Sequence, residues 1–173
     1  GQTCVAPDYI LVERSVKDEF LVYLKKWIVR MYGADATEND AYVKMINQKH
    51  FDRVTGLIDP EKVIFGGGRN ERTMQIQPTI LDDVTAEDAV MQEEIFGPIF
   101  PILSVDSMAE AEEFICKREN PLALYLFTQN KALAERFLRY VPFGGGCIND
   151  TIIHLATSRM GFGGVGGSGM GSY

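Results

Sequence analysis

Ile99-Phe100-Pro101-Ile102-Leu103-Ser104-Val105 is a strand-like apolar run, and Asp106-Ser107-Met108-Ala109-Glu110 follows it directly. Ser107 with Glu110 three residues on has the form of a capping box, which predicts a helix through Cys116. Working downstream, Ala123-Leu124-Tyr125-Leu126-Phe127 is almost continuously apolar, the pattern of a strand buried on both faces. Asn130 suits the cap of a helix carrying Ala134, Phe137, Leu138 and Val141, and Gly146 to Asn149 reads as a further short strand. A strand–helix–strand–helix–strand order predicts an α/β fold built in layers. Pro101 is the discordant residue, because it removes a ladder donor inside its strand.

The upstream half continues the alternation. Tyr9 to Val12 reads as a strand, Ser15 as a helix cap paired with Asp18, and Phe20, Leu24, Trp27, Ile28 and Met31 as a helical stripe ended by Gly33. Asp35 to Asp40 is a polar loop. Val43, Ile46, Val54, Leu57 and Ile58 predict one or two amphipathic helices before Asp59-Pro60. Val63 to Phe65 is a strand stopped by Gly66-Gly67-Gly68, and Ile76 to Leu81 alternates but carries Pro78, which predicts an edge strand. From Thr157 to Tyr173 the chain is glycine-rich and reads as extended. With no repeat and no long linker, residues 1–173 are expected to form a single domain.

The net charge of -7 leaves no basic stripe to neutralise phosphates, which argues against a nucleic-acid partner. No apolar run is long enough to span a bilayer. Cys4, Cys116 and Cys147 are too few and too scattered for a disulfide framework, which suits a reducing compartment, so a cytoplasmic location is expected. Without a CxxC pair no metal site is expected. Cys116 and Cys147, inside a helix and a strand, read as small core residues, and His50 and His154 as packed or solvated.

Two segments carry candidate chemistry. Cys4 is a candidate nucleophile, although no activating base is identifiable from spacing alone. Glu93-Glu94-Ile95-Phe96-Gly97-Pro98 sets a carboxylate two residues from an aromatic ring on a rigid bend. Such a pair can bind a diol and cover a flat heterocycle, although a solvated turn has the same composition. Gly164-Val165-Gly166-Gly167-Ser168-Gly169 matches G-x-G-x-x-G but opens no helix after a strand, so it is not a dinucleotide fingerprint. Gly66-Gly67-Gly68 lacks the Lys-Ser/Thr of a phosphate loop.

Gly1-Gln2-Thr3-Cys4-Val5-Ala6-Pro7-Asp8-Tyr9-Ile10, Gln77-Pro78-Thr79-Ile80-Leu81, Gln92 to Pro98, Pro121 to Tyr125, Asn149-Asp150 and Phe162 to Gly171 together resemble the aldehyde dehydrogenase superfamily, and most closely its class 3 branch. Met160-Gly161 departs from the Leu-Pro of many relatives. The resemblance implies a three-layer catalytic domain with a mostly parallel sheet flanked by helices. It implies oxidation of an aldehyde to a carboxylic acid with NAD or NADP, through a Cys4 thiohemiacetal and thioester. Glu94 would hold the nicotinamide ribose and is a candidate base, and Phe96 would pack near the nicotinamide. The family's cofactor-binding domain, oxyanion Asn and usual general-base Glu would lie upstream of Gly1, so this chain alone is expected to be inactive. A full-length homodimer or higher homo-oligomer is implied. The alternatives are a nonenzymatic binding or structural protein of the same fold, and an acyl-CoA or acyl-phosphate reductase of the superfamily.

Overall fold

The structure, a computed structural model, describes residues 1–171. The chain divides into two compact units. The first comprises Gly1–Thr3 and Pro7–Asp106, and the second Cys4–Ala6 with residues from Ser107 onward.

The first unit is built on four strands, β1 (Ile10–Glu13), β2 (Val63–Phe65), β5 (Thr79–Leu81) and β6 (Ile99–Val105), in the order β1-β6-β5-β2. β6 runs parallel to both β1 and β5, and only β2 is antiparallel. Pro101 is tolerated in the middle of this sheet because β6 changes neighbours there. It pairs with β5 through Pro101 and with β1 from Ile102. Two strands of a side ribbon, β3 (Arg69–Asn70) and β4 (Gln75–Ile76), pair antiparallel.

Helix α1 (Lys17–Tyr32) covers the sheet, packing Leu21 and Ile28 on Val12, Ile80 and Ile102. Its start differs from expectation. Val16 N–H bonds to Glu13 O at 3.0 Å in a tight turn off β1, so Val16 rather than Ser15 takes the cap position, without a side-chain cap. Gly33 ends the helix at φ 91°, a left-handed conformation that glycine adopts freely. Trp27 and Met31, read as part of the apolar stripe, are exposed, and Phe20, Leu24 and Tyr32 fill in around the buried pair. The region from Val43 to Ile58 supplies one helix, α2 (Gln48–Gly56), capped by Asn47 and burying Phe51 and Val54. Val43 and Ile46 lie outside it and are exposed.

The Ile76–Leu81 segment corrects the edge-strand expectation. Gln77-Pro78 divides it into β4 and β5, and β5 lies inside the sheet between β6 and β2 with Ile80 and Leu81 fully buried. The proline costs no central ladder bond because it falls in the break between the two strands.

The second unit alternates α3 (Met108–Cys116), β7 (Ala123–Leu126), α4 (Lys131–Tyr140) and β8 (Gly145–Ile148). Ser107 caps α3 through Glu110 N–H, and Asn130 caps α4 through Leu133 N–H, both as read from sequence. β7 and β8 are parallel. β8 approaches β7 so closely that a Cβ on Gly146 would fall 2.1 Å from the Leu124 oxygen. Ala111, Ile115, Leu126, Phe137 and Val141 form the buried side. β7 is less enclosed than its composition suggested, since three of its four residues are only partly buried and Phe127 beyond it is exposed.

The glycine-rich stretch is not extended throughout. Residues Gly166–Ser168 make one 3₁₀ turn closed on itself, with Val165 N–H donating to Ser168 Oγ at 2.8 Å. The last two residues of the segment read as extended lie outside the described residues. The α/β architecture is as the alternation predicted, and the mostly parallel sheet is as the family resemblance implied.

Candidate active site

Glu94 and Phe96 lie on one bend before β6, in the first unit. The loop leading to it is held at many points. Lys62 pairs with Asp88, whose carboxylate also accepts from Thr85 N–H at 2.7 Å. Gln92 Nε2 donates to the carbonyls of Ala86 and Asp88, while Val84, Val90, Met91 and Ile95 are buried. At the bend itself, Arg53 from α2 donates to Glu93 Oε1 at 3.1 Å, Glu94 O at 3.2 Å and Ile95 O at 2.5 Å. Asp8 Oδ1 accepts from Ile95 N–H at 2.8 Å. These bonds fix the backbone beneath Glu94, while Glu93 and Glu94 themselves remain exposed.

Phe96 takes φ 48°, which is rare for a bulky side chain, and 40% of its surface remains exposed. Gly97 follows because α2 passes so near: a Cβ there would meet a Val54 methyl at 2.6 Å. Gly1 is equally constrained, since a Cβ on it would fall 1.8 Å from the Gly97 oxygen. Gln2 is fixed too, donating to Lys44 O at 2.8 Å and accepting from Ile46 N–H at 3.1 Å. Burial raises the Glu94 carboxyl above its usual range, the Asp8 charge raises it further, and Arg53 opposes both. The bend thus presents a hydrogen-bond-accepting carboxylate and an open aromatic ring on an anchored backbone, a pairing that fits a diol and a flat heterocycle.

Cys4 lies on a turn in the second unit. Its side chain is exposed, whereas Val5 is 4% exposed. The Val5 carbonyl accepts from Tyr125 Oη at 2.7 Å, so the thiol projects from a turn tied down one residue later. Of the other cysteines, Cys116 is exposed rather than buried, and Cys147 on β8 is half-buried with Sγ 3.6 Å from His154 Nδ1. His154 also tilts over the Tyr125 ring, with centroids 5.8 Å apart. Among the described residues no group of three His, Cys, Asp or Glu could hold a metal, and no helix is long and apolar enough to cross a membrane.

Arg53, Asp8 and Tyr125 did not stand out in the sequence. Their partners lie 40 to 120 positions away, and no local spacing reports a bond to a distant backbone carbonyl or amide.

The sequence profile of the aldehyde dehydrogenase family matches residues 1–173. The 4,4'-diaponeurosporen-aldehyde dehydrogenase of Staphylococcus aureus is 49% identical over 175 positions, covering 100% of this chain and 38% of that protein. The dimeric NADP-preferring aldehyde dehydrogenase of Bos taurus is 47% identical, covering 100% of this chain and 72% of the relative. Among solved structures, the Staphylococcus aureus AldH in its substrate-bound state superposes with a TM-score of 0.97 at 48% identity, over 100% of this chain and 38% of that one. Succinate-semialdehyde dehydrogenase from Burkholderia pseudomallei gives 0.87 at 28% identity, over 99% and 37%. The chain thus spans little more than a third of the length of most of these relatives.

Proposed function

The chain belongs to the aldehyde dehydrogenase family, and from that premise we propose that residues 1–173 are the catalytic domain of an NAD(P)-dependent enzyme that oxidises aldehydes to carboxylic acids. Cys4 is its nucleophile. Glu94 and Phe96 hold the ribose and nicotinamide of the dinucleotide, and Glu94 is also a candidate base. The bovine relative's description as dimeric and NADP-preferring supports NADP and a homodimer here. The substrate is a small-molecule aldehyde and the compartment the cytoplasm.

The Cys4 thiolate adds to the aldehyde carbonyl carbon. The alkoxide that forms draws on the Cys4 backbone N–H, and stabilisation of this kind is worth roughly 3–4 kcal/mol per donor in acyl-transfer enzymes. The bound dinucleotide supplies the hydride acceptor. Glu94 would accept hydrogen bonds from its ribose hydroxyls, and Phe96 would shield its nicotinamide ring from water. Loss of hydride from the former aldehyde carbon to that acceptor would leave a thioester on Cys4 Sγ, and attack of water on its carbonyl carbon, with both water protons passing to solvent, would release the carboxylate and restore the thiolate.

The observation that carries this reading is the Cys4 turn: an exposed thiol beside a buried, hydrogen-bonded Val5. Cys116 is exposed as well, so it is the anchored turn rather than exposure alone that marks Cys4. The test is steady-state turnover of the full-length protein with Cys4→Ser. A loss of several orders of magnitude is expected, because the covalent step has no substitute. Turnover near the original level refutes the assignment.

A further inference from the structure

We infer that Tyr125 is a positioning residue for the nucleophile: its hydroxyl ties the Cys4 turn to strand β7. The inference rests on the reading of Cys4 given above. Tyr125 lies within β7, so its backbone belongs to a regular ladder. Its Oη donates to Val5 O at 2.7 Å, and a phenolic O–H has only this one proton to give.

The hydroxyl fixes a carbonyl one residue past the reactive sulfur, where the exposed thiol supplies little packing of its own. The Tyr125 ring is itself backed by His154, with ring centroids 5.8 Å apart. Burial raises the Tyr125 hydroxyl above its ordinary value, Ile152 N–H opposes this, and the Cys147 and Cys4 thiols add to the rise, so the group remains a donor at neutral pH.

Covalent attack depends on placement within about half an ångström. A phenylalanine at 125 keeps the ring and removes the bond to Val5 O. The effect should fall on the step made by Cys4 rather than on dinucleotide binding.

The experiment uses the full-length protein with Tyr125 replaced by Phe, by 4-methylphenylalanine (the same shape without a donor) or by 4-aminophenylalanine (an N–H donor in the same place). Single-turnover NADPH formation per folded molecule, KM for NADP and Tm are measured for each, with Cys4→Ala as the control. Expected is a fall of about tenfold in single-turnover rate for the two donor-free variants, with KM for NADP unchanged within about twofold. Recovery to within about threefold is expected with the amino variant. If Tyr125→Phe does not fold, the methyl and amino pair carries the comparison, because both keep the shape of tyrosine. Single-turnover rates in the donor-free variants equal to the original, whether or not Tm falls, overturn the inference while Cys4→Ala remains inactive. A Cys4→Ala protein that still turns over overturns the nucleophile reading, and this inference with it.

Discussion

Replacing Arg53 by Met keeps most of the side chain's length and removes its donors. The guanidinium, 25% exposed, makes three contacts with the bend that carries Glu94 and Phe96. The ion pair to Glu93, whose carboxylate is 58% exposed, contributes at most about 1 kcal/mol in water. The bonds to the Glu94 and Ile95 carbonyls matter more, since a bond from a charged donor is worth roughly 1.5–3 kcal/mol. Neighbouring bonds do not add fully, so a local loss of about 3 kcal/mol is expected. Part of that reaches the cofactor, as a rise of about tenfold in the Kd for NADP. A second effect follows from charge. Arg53 is the group that opposes the upward push on Glu94, so its removal lets the Glu94 carboxyl rise further. A raised carboxyl is ionised only at higher pH, so the acid limb of NADP binding should move to higher pH. The assay is NADP titration of the full-length protein by NADPH fluorescence displacement over a pH series running upward from the ordinary glutamate value of 4.5. Arg53→Lys should fall between the two, because one ammonium cannot reach all three acceptors. Unchanged affinity together with an unmoved acid limb in Arg53→Met refutes the reasoning.

Glu94→Gln should weaken NADP binding or slow single-turnover hydride transfer by about 10- to 150-fold, the equivalent of roughly 1.5–3 kcal/mol for a charged hydrogen bond; transient kinetics checks both. The Asp88 carboxyl is held low, first by its hydrogen bond from Lys62 and then by Thr85 N–H. A depressed carboxyl contributes stability above its ordinary value of 3.8 and loses it as pH falls through the lower folded value. Asp88→Asn should therefore cost about 1–2 kcal/mol in urea unfolding at pH 7 and little once Asp88 is protonated in both states. The 173-residue chain by itself should unfold cooperatively yet form no NADPH with any of several aldehydes, an outcome read by circular dichroism and absorbance at 340 nm.

The sequence disclosed the elements that have local causes. Ser107 and Asn130 cap where their spacing said they would, and Gly33 ends α1 because few other residues adopt its conformation. Readings that depend on tertiary neighbours were weaker. Pro78 suggested an edge, but pairing on both sides of β5 is decided by β6 and β2, which lie at different distances along the chain. Trp27 and Met31 match the helical period yet are exposed, while Leu21 and Ile28 with Phe20, Leu24 and Tyr32 make the packed face of α1. For the candidate site, Cys4, Glu94 and Phe96 could be named from motifs. The residues that hold their backbones could not, because Arg53, Asp8 and Tyr125 act through main-chain atoms whose identity any sequence would share.

Covalent chemistry at Cys4 is best tested by trapping it. The full-length protein is mixed with aldehyde and NADP, quenched in acid within the first turnover, digested, and mapped by mass spectrometry. The account predicts an acyl group on the peptide containing Cys4, rising with NADPH and absent from Cys4→Ser. NADPH released at the normal rate with Cys4 unmodified at every quench time, or an acyl group on Cys116 or Cys147 instead, contradicts it.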